Sequence, residues 1–221
     1  MALTVGTKTN STIAGGGATN MSFSHIQDVG SNPLLTVNIG HSIASPNVSG
    51  VSYNGTPMTR KYLHPTATTE INVEAWELAN PDTGSNTVLV DFSGAQFNPV
   101  STEAISFVGA EPTIGNELFI DTVGPPASGN ITVSQNSMVV AVGVAGTVGT
   151  DITIDGSSRT IDWNDNINNY YFGGVSNSGL SAGSIDVSAN SSASVALFAY
   201  EVKEAIAPPT ETSRNTQAVW L

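Results

Sequence analysis

The sequence contains no cysteine, so it forms no disulfide and offers no cysteine-based metal site. Positive charge is also scarce, because six Lys and Arg face eighteen Asp and Glu, for a net charge of −12. Nucleic acid binds clustered cations that displace its counterions, and an anionic membrane surface attracts the same clusters. We therefore expect neither a nucleic acid nor a membrane as partner.

Long apolar runs are missing too: none approaches the roughly 18 residues that a membrane span requires. The chain starts Met1-Ala2-Leu3-Thr4-Val5, without the basic start and apolar stretch of a secretion signal. We expect synthesis in a cytoplasm without a signal peptide. Charged residues are only 11 % of the chain, so Ser, Thr, Asn and Gly must supply the polar surface. These residues favour strands, turns and loops over helices.

Alternating apolar residues dominate the sequence. Leu35, Val37 and Ile39 form one such run, and Val88 and Val90 form another. This period of two is typical of antiparallel strands with one buried face, whereas residues 138–145 and 195–200 are apolar on both parities, which predicts covered central strands. The sequence therefore predicts an all-β fold: an antiparallel, jelly-roll-like β-sandwich with extra hairpins and very little helix.

The turns and the phase of the strands refine this prediction. Asn54-Gly55 and Asp155-Gly156 are typical of tight hairpin turns. Trp76 and Leu78 leave the phase set by Ile71 and Val73, which predicts a β-bulge near Ala75. Residues 1–205 are predicted to form a single sandwich domain, with a subdivision near residues 109–116 as the alternative.

Residues 206–221 are predicted to form an extended C-terminal arm. The arm contains Pro208 and Pro209 and ends in Val219, Trp220 and Leu221, and these are the candidate partner-binding residues. Two interpretations stay open: the arm folds back on its own sandwich, or it docks onto a neighbouring subunit.

Catalytic patterns are weak. Gly179, Ser181 and Gly183 match the Gly-x-Ser-x-Gly string of a nucleophile elbow, but a helix must follow that serine and residues 184–187 have strand character. His25, His41 and His64 share no spacing typical of a metal site. We expect His25 to be hydrogen-bonded at the edge of the core, and we expect the protein not to be an enzyme.

Three carboxylates lie close together in sequence, and paired carboxylates carry out glycoside hydrolysis. They are Glu70, Glu74 and Glu77. Glu70 and Glu74 share a parity with Asn72, so we expect them on a solvated face. Aromatic residues are only 7 % of the chain, which is few for the lining of a sugar cleft.

One stretch has the composition of a hard-cation site. Asp162, Asn164 and Asp165 offer several oxygen ligands within a few residues, although the spacing excludes an EF-hand. An irregular Ca²⁺ site in a loop and a solvated Asx turn both fit, and we favour the turn. We expect no other cofactor.

Two motifs carry a family resemblance. The first is Val51-Ser52-Tyr53-Asn54-Gly55-Thr56-Pro57-Met58-Thr59, and the second is Trp76-Glu77-Leu78-Ala79-Asn80-Pro81-Asp82-Thr83-Gly84, followed by the strand with Val88 and Val90. The pattern resembles a β-sandwich domain of bacteriophage virion proteins and surface-exposed bacterial proteins. The resemblance implies a β-sandwich that is associated with a virion or exposed at a surface, and it brings no catalytic residues.

Together these features predict a bacteriophage virion structural protein, specifically a capsid decoration or cement subunit. It would bind the outer shell, with the major capsid protein as partner, through its sandwich surface and its arm. We expect a homo-oligomer and favour a trimer. The alternative is a tail-associated or adhesin-type carbohydrate-binding module that stacks sugars on Trp163, Tyr170 or Tyr171, and a hydrolase is the third hypothesis.

Overall fold

A computed structural model describes residues 2–42, 47–63, 71–122, 127–145, 152–155, 157–159, 163–166, 170–175, 179–189 and 195–206. These residues form eighteen strands and no helix. The first nine are β1 (Thr4–Ile13), β2 (Ala18–Gln27), β3 (Leu34–Ser42), β4 (Val48–Tyr53), β5 (Thr56–Pro57), β6 (Thr59–Leu63), β7 (Ile71–Ala79), β8 (Gly84–Gln96) and β9 (Val100–Val108).

The other nine strands follow a short connector, residues 109–116. They are β10 (Glu117–Thr122), β11 (Ala127–Val133), β12 (Met138–Ala145), β13 (Ile152–Ile154), β14 (Ser157–Arg159), β15 (Trp163–Asn166), β16 (Tyr170–Val175), β17 (Gly183–Ala189) and β18 (Val195–Val202). Within the described ranges, no helix is long and apolar enough to cross a membrane.

The two sets of nine strands have the same topology. The first set forms sheets of order β1-β9-β3-β7-β6 and β2-β8-β4-β5, and the second forms β10-β18-β12-β16-β15 and β11-β17-β13-β14. Each order in the second set is the order in the first with nine added to every strand number. We call residues 4–108 the N-terminal roll and residues 117–202 the C-terminal roll, because each pair of antiparallel sheets is a jelly roll with one added edge strand.

The predicted all-β, jelly-roll-like fold is confirmed. The repetition of the whole topology is a finding that the sequence did not predict. The rolls divide at the connector, yet they also share a core, so the prediction of one domain over residues 1–205 stays a prediction.

Three hydrophobic cores separate four layers of sheet. One core lies inside the N-terminal roll and includes Val37, Tyr53 and Val90, and a second lies inside the C-terminal roll and includes Leu197. The third, which we call the inter-roll core, joins the two five-stranded sheets face to face. Its residues are Leu3, Leu34, Val73, Ala75, Ile105, Phe107, Ala110, Ile114, Met138, Val140, Val142, Val144, Ala196, Phe198, Tyr200 and Val202.

This layering explains why the inner strands are apolar on both parities. All eight residues of β18 are buried, and the described side chains of β12 are buried as well, as their sequences predicted. In β7, Val73 and Ala75 enter the inter-roll core while Trp76 enters the core of the N-terminal roll. The predicted bulge near Ala75 is therefore wrong for β7: its pairing with β3 runs without a shift. The nearby irregularity belongs to β6, between Arg60 and Tyr62.

Aromatic rings strengthen the inter-roll core. Tyr62 of the N-terminal roll stacks on Phe198 of the C-terminal roll, with ring centroids 4.2 Å apart and planes within 13°. Phe119 stacks on the same tyrosine at 5.3 Å. Burial raises the pKa of Tyr62, and the nearby carboxylates Glu117 and Asp121 raise it further. Aromatic pairs of this kind add to the area that they bury, so the rolls are firmly joined.

Candidate functional site

The two motifs that carry the family resemblance meet at one end of the N-terminal roll. The hydroxyl of Tyr53 donates to the carbonyl of Gly84 at 3.0 Å, and Asn54 Nδ2 donates to Asp82 Oδ2 at 2.8 Å. Asn54 and Gly55 have φ values of 49° and 77°, as a tight hairpin turn requires. The motif residues therefore hold the hairpin β4–β5 against the loop before β8, which is an architectural role.

Glu74, on β7, is fully buried. The sequence predicted that this side chain faces solvent, and that prediction is wrong. His41 Nε2 lies 3.1 Å from Glu74 Oε1, Trp76 Nε1 donates to Glu74 Oε2 at 3.2 Å, and Arg60 Nη1 is 3.7 Å from the same oxygen. The Arg60 guanidinium also sits 5.3 Å from the centre of the Trp76 ring. The expectation failed because β7 is an inner strand whose two faces are both covered, and Asn72 is buried there too.

Glu77 fastens the connector to the N-terminal roll. Its carboxylate accepts hydrogen bonds from the Thr113 hydroxyl at 2.7 Å and from the Ile114 amide at 2.8 Å. Lys61 Nζ lies 3.6 Å from the same carboxylate. Because side chains alternate along a strand, Glu74 and Glu77 point to opposite faces of β7. They cannot flank one glycosidic bond, as a catalytic pair must.

Glu201 fastens two loops to the last strand of the C-terminal roll. It accepts hydrogen bonds from the Ser137 hydroxyl at 2.7 Å, from the Asn116 amide at 3.3 Å and from the Ser134 amide. Burial alone would raise the pKa of Glu201, but these hydrogen bonds outweigh burial and hold the pKa below its ordinary value. The buried carboxylate therefore holds the two loops against β18. No pattern in the sequence predicted this role for Glu201.

His25 is a core-edge histidine, as expected. Its ring nitrogens lie 3.0 Å from the Thr9 hydroxyl and 2.9 Å from the Ser106 hydroxyl. The ring is 1 % exposed, and burial lowers its pKa to about 4 in spite of the opposing effect of Asp28. A neutral imidazole donates one hydrogen bond and accepts the other, so both of its nitrogens are satisfied.

The Gly-x-Ser-x-Gly string and two of the three candidate cation ligands lie in or beside strands of the C-terminal roll. The string ends at Gly183, the first residue of strand β17, so a strand follows Ser181, as the sequence predicted. The backbone of Asn164 and Asp165 belongs to strand β15, but their side chains and all of Asp162 lie outside the described residues. Among the side chains that the structure describes, no three acidic, His or Cys residues are grouped to hold a metal.

The residues predicted for contact with partners also fall largely outside the described ranges. These are the arm residues Pro208, Pro209, Val219, Trp220 and Leu221, and the side chains of Trp163, Tyr170 and Tyr171. Two residues weighed for metal binding or catalysis, His64 and Glu70, lie outside the described residues as well. Tyr170 opens strand β16, so its backbone is strand. The arm, carbohydrate and calcium hypotheses therefore stay predictions.

A groove that the sequence did not predict opens where the arm begins. The loop after β2, the connector and the stretch after β18 converge there: Ala110 N donates to the Asn32 carbonyl at 3.1 Å, and Ala205 N to the Gly109 carbonyl at 2.8 Å. We call this cavity of about 440 Å³ the exit groove, and it is lined by Asn32, Ala110, Glu111, Pro112, Ala205 and Ile206.

Comparisons with known proteins add little. No family model and no curated protein matches the chain. Among solved structures, the chain is similar to the major capsid protein P2 of bacteriophage PM2, at 13 % identity and a TM-score of 0.32, over 92 % of this chain and 99 % of that one. At this TM-score the likeness carries no conclusion about the role of this chain.

Proposed function

We propose that this chain is a structural protein of a bacteriophage virion, and more narrowly a capsid decoration or cement subunit bound to the outer shell. The observation that carries the proposal is the pair of jelly rolls joined through the inter-roll core. Jelly rolls occur in capsid and lectin domains, and a fold alone does not decide between such roles. Four packed layers do supply what a shell protein needs, which is a stiff body with surfaces facing outward.

The buried charged groups support a structural role. Glu74, Glu77 and Glu201 are 0 %, 8 % and 0 % exposed, and each carboxylate accepts at least two hydrogen bonds or ionic contacts from the surrounding strands and loops. A general acid or base must come within hydrogen-bond reach of a substrate. These three carboxylates are instead committed to holding the chain together.

The mechanism that we propose is adhesive. A net charge of −12 favours a neutral or basic protein surface as partner, and we propose the major capsid protein. Each contact would combine apolar burial with charge complementarity, and repetition over a symmetric shell multiplies weak contacts through avidity. A trimer of this chain would offer three such contacts at once.

Fractionation of infected-cell lysates on a density gradient tests the virion role. We expect the chain to sediment with DNA-filled particles, and its absence from those fractions would contradict a virion location. A variant lacking residues 208–221 is expected to keep its β-sheet circular dichroism while its occupancy on particles falls. The matched control is Gln217→Ala, a polar arm position, which should bind like the full chain; full occupancy by the truncated variant would remove the arm from the mechanism.

The carbohydrate-binding alternative has its own test. A glycan array probed with and without a chelator measures sugar binding through Trp163, Tyr170 or Tyr171 and any dependence on Ca²⁺. We expect no chelator-sensitive signal, and specific binding that Tyr171→Ala abolishes would favour the alternative. Broad esterase and glycosidase assays address the hydrolase hypothesis, for which we expect no turnover.

A further inference from the structure

Asparagines with a left-handed backbone recur in the turns of both rolls. Those that the structure describes are Asn32, Asn54, Asn80 and Asn136, with φ between 49° and 62°. An asparagine loses its side-chain nitrogen as ammonia when the backbone nitrogen of the next residue attacks its side-chain carbonyl carbon. The residue that follows therefore decides which of these four turns can undergo the reaction.

Three of the four turns are protected by the residue that follows. Asn32 and Asn80 each precede a proline, which has no N–H and cannot attack. Asn136 precedes Ser137, which is 0 % exposed and belongs to a β-bridge, so burial and pairing hold its backbone in place. The fourth asparagine, Asn54, is followed by a glycine.

The turn at Asn54 and Gly55 is open to this chemistry. Both residues are exposed at the tip of the hairpin β4–β5, and they form the one Asn-Gly pair of the chain. A Cβ added to Gly55 would meet no atom within 4 Å, so no neighbouring group shields this side of the turn. Asn54 N donates to the Thr87 carbonyl at 2.9 Å, and Asn54 Nδ2 donates to Asp82 Oδ2 at 2.8 Å. These two bonds hold the asparagine without using the nitrogen of Gly55.

We propose that Asn54 deamidates spontaneously, with water as the co-reactant. The backbone nitrogen of Gly55 loses its proton and bonds to Cγ of Asn54, and the Cγ–Nδ2 bond breaks to release ammonia. The product is a cyclic imide, which water then opens. Cleavage between Cγ and the nitrogen leaves aspartate at position 54, whereas cleavage at the main-chain carbonyl leaves isoaspartate. Neither route needs an enzyme, a metal or an oxidant.

The reaction breaks the contact between the two motifs that carry the family resemblance. Asn54 Nδ2 donates to Asp82 Oδ2, but an ionised carboxylate has no hydrogen to donate. After deamidation two carboxylates face each other, and like charges at so short a separation repel. The ion pairs of the described side chains involve Glu74 and Glu77, and none of them neutralises Asp82. The hairpin β4–β5 therefore separates from the loop before β8.

Isoaspartate has a further effect on the turn itself. It routes the backbone through Cβ and Cγ, which lengthens the main chain by an atom. In a two-residue hairpin loop, the length of the loop fixes how the flanking strands pair. Tyr53 pairs with Thr56 across this turn, and that pairing cannot survive unchanged.

Tandem mass spectrometry of the full-length protein tests the proposal. The purified chain is kept in mildly alkaline or mildly acidic buffer for increasing times and then briefly digested with chymotrypsin. We expect most of the deamidated peptide to carry the change at Asn54, with aspartate and isoaspartate forms that elute separately. The rate should rise with pH, since the attacking nitrogen must lose its proton. Asn32 and Asn80, which prolines follow, are internal controls and should stay intact.

Two outcomes of this experiment would overturn the proposal. Equal rates at Asn54 and Asn136 would show that the exposed glycine gives no advantage. An Asn54 peptide that stays intact in alkaline buffer would show that the turn resists the reaction. Because purified protein is used, the result does not depend on the virion role.

Hydrogen exchange measures the effect on the contact. The variant Asn54→Asp imitates the charged product. We expect the amide of Met58, which donates to the Val51 carbonyl at 2.8 Å, to lose at least about tenfold of its protection. The matched control is the double variant Asn54→Asp with Asp82→Asn, which exchanges donor and acceptor and should regain the protection. Unchanged protection in Asn54→Asp, or a double variant no better than the single one, would contradict the loss of this contact.

Discussion

Replacing Glu201 by Gln changes the charge of a buried side chain while keeping its volume. The carboxylate accepts hydrogen bonds from Ser137 Oγ at 2.7 Å, Asn116 N at 3.3 Å and Ser134 N. An amide group donates where one carboxylate oxygen accepted, so at least one buried donor loses its partner. Such a loss costs about 1–3 kcal/mol, and the other bonds lose their ionic assistance. We expect the free energy of unfolding to fall by about 2–4 kcal/mol.

Urea unfolding at several pH values measures the effect. Hydrogen bonds hold the folded pKa of Glu201 below its ordinary value of 4.5, so the carboxylate contributes its full stability above pH 4.5. That contribution is lost as the pH falls through the folded pKa, because the protonated acid can no longer accept every bond. The gap in unfolding free energy between the natural chain and Glu201→Gln should therefore be widest at neutral pH and shrink in acid.

The control is Glu117→Gln, which removes the same charge at an exposed position on β10. Substitutions at such positions usually change the free energy of unfolding by less than about 0.5 kcal/mol. The reasoning would be refuted by a loss below about 0.5 kcal/mol for Glu201→Gln at pH 7. A gap that stays constant as the pH is lowered would refute the assigned ionisation.

Three further predictions concern stability and are read from urea midpoints. Phe198→Ala should lower the free energy of unfolding by about 3–5 kcal/mol, because it leaves a cavity in the inter-roll core. The control Phe97→Ala, at a position that is 74 % exposed, should change the stability little. Equal losses for the two variants would contradict the inter-roll core. Gly109→Ala should lower the free energy of unfolding by at least about 1 kcal/mol, since Gly109 has a φ of +76° and an added Cβ would lie 2.7 Å from the Ala2 carbonyl oxygen. In the control Gly50→Ala, the added Cβ meets no atom within 4 Å, so the stability should not fall. The pKa of His25 falls from 6.5 to about 4 on folding. The free energy of unfolding should therefore be lower at pH 4 than above pH 6.5 by up to about 3 kcal/mol, because His25 must stay neutral in the folded state. A His25→Gln variant that loses as much stability over this pH range would contradict this assignment.

Local pattern was enough to predict the class of fold. Alternation around Val88 and Val90 is visible without any partner, and Asn54-Gly55 specifies a hairpin by backbone conformation alone. Residues 195–200 of β18 are apolar at odd and even positions alike, which predicted a strand covered on both faces, and the burial of the whole strand confirms this prediction. Each of these signals lies within one strand or one turn.

The repeated topology could not be predicted in the same way, because the two rolls share a strand order without sharing side chains. Asn38 pairs with Glu103 in the N-terminal roll, and the corresponding pair in the C-terminal roll is Val142 with Phe198. Jelly-roll pairing is also non-local, since β1 pairs with β9 almost one hundred residues later. No short window of sequence contains both partners.

The candidate site shows the same limit at the level of single residues. Glu74 alternates with apolar neighbours as a solvated residue does, and its partner His41 is 33 positions away in sequence. The exit groove is assembled from the loop at Asn32, the connector and Ala205, which lie far apart in the chain. No local pattern in the sequence indicates that these three segments meet, and only the folded structure brings the walls of the groove together.

An electron cryomicroscopy map of the virion that contains this chain tests the central claim most directly. We predict density for two adjoining two-layer halves of one subunit, at symmetric positions on the outer surface of the shell and in contact with the major capsid protein. A map of intact, chemically complete particles without such density would contradict a structural role in the virion.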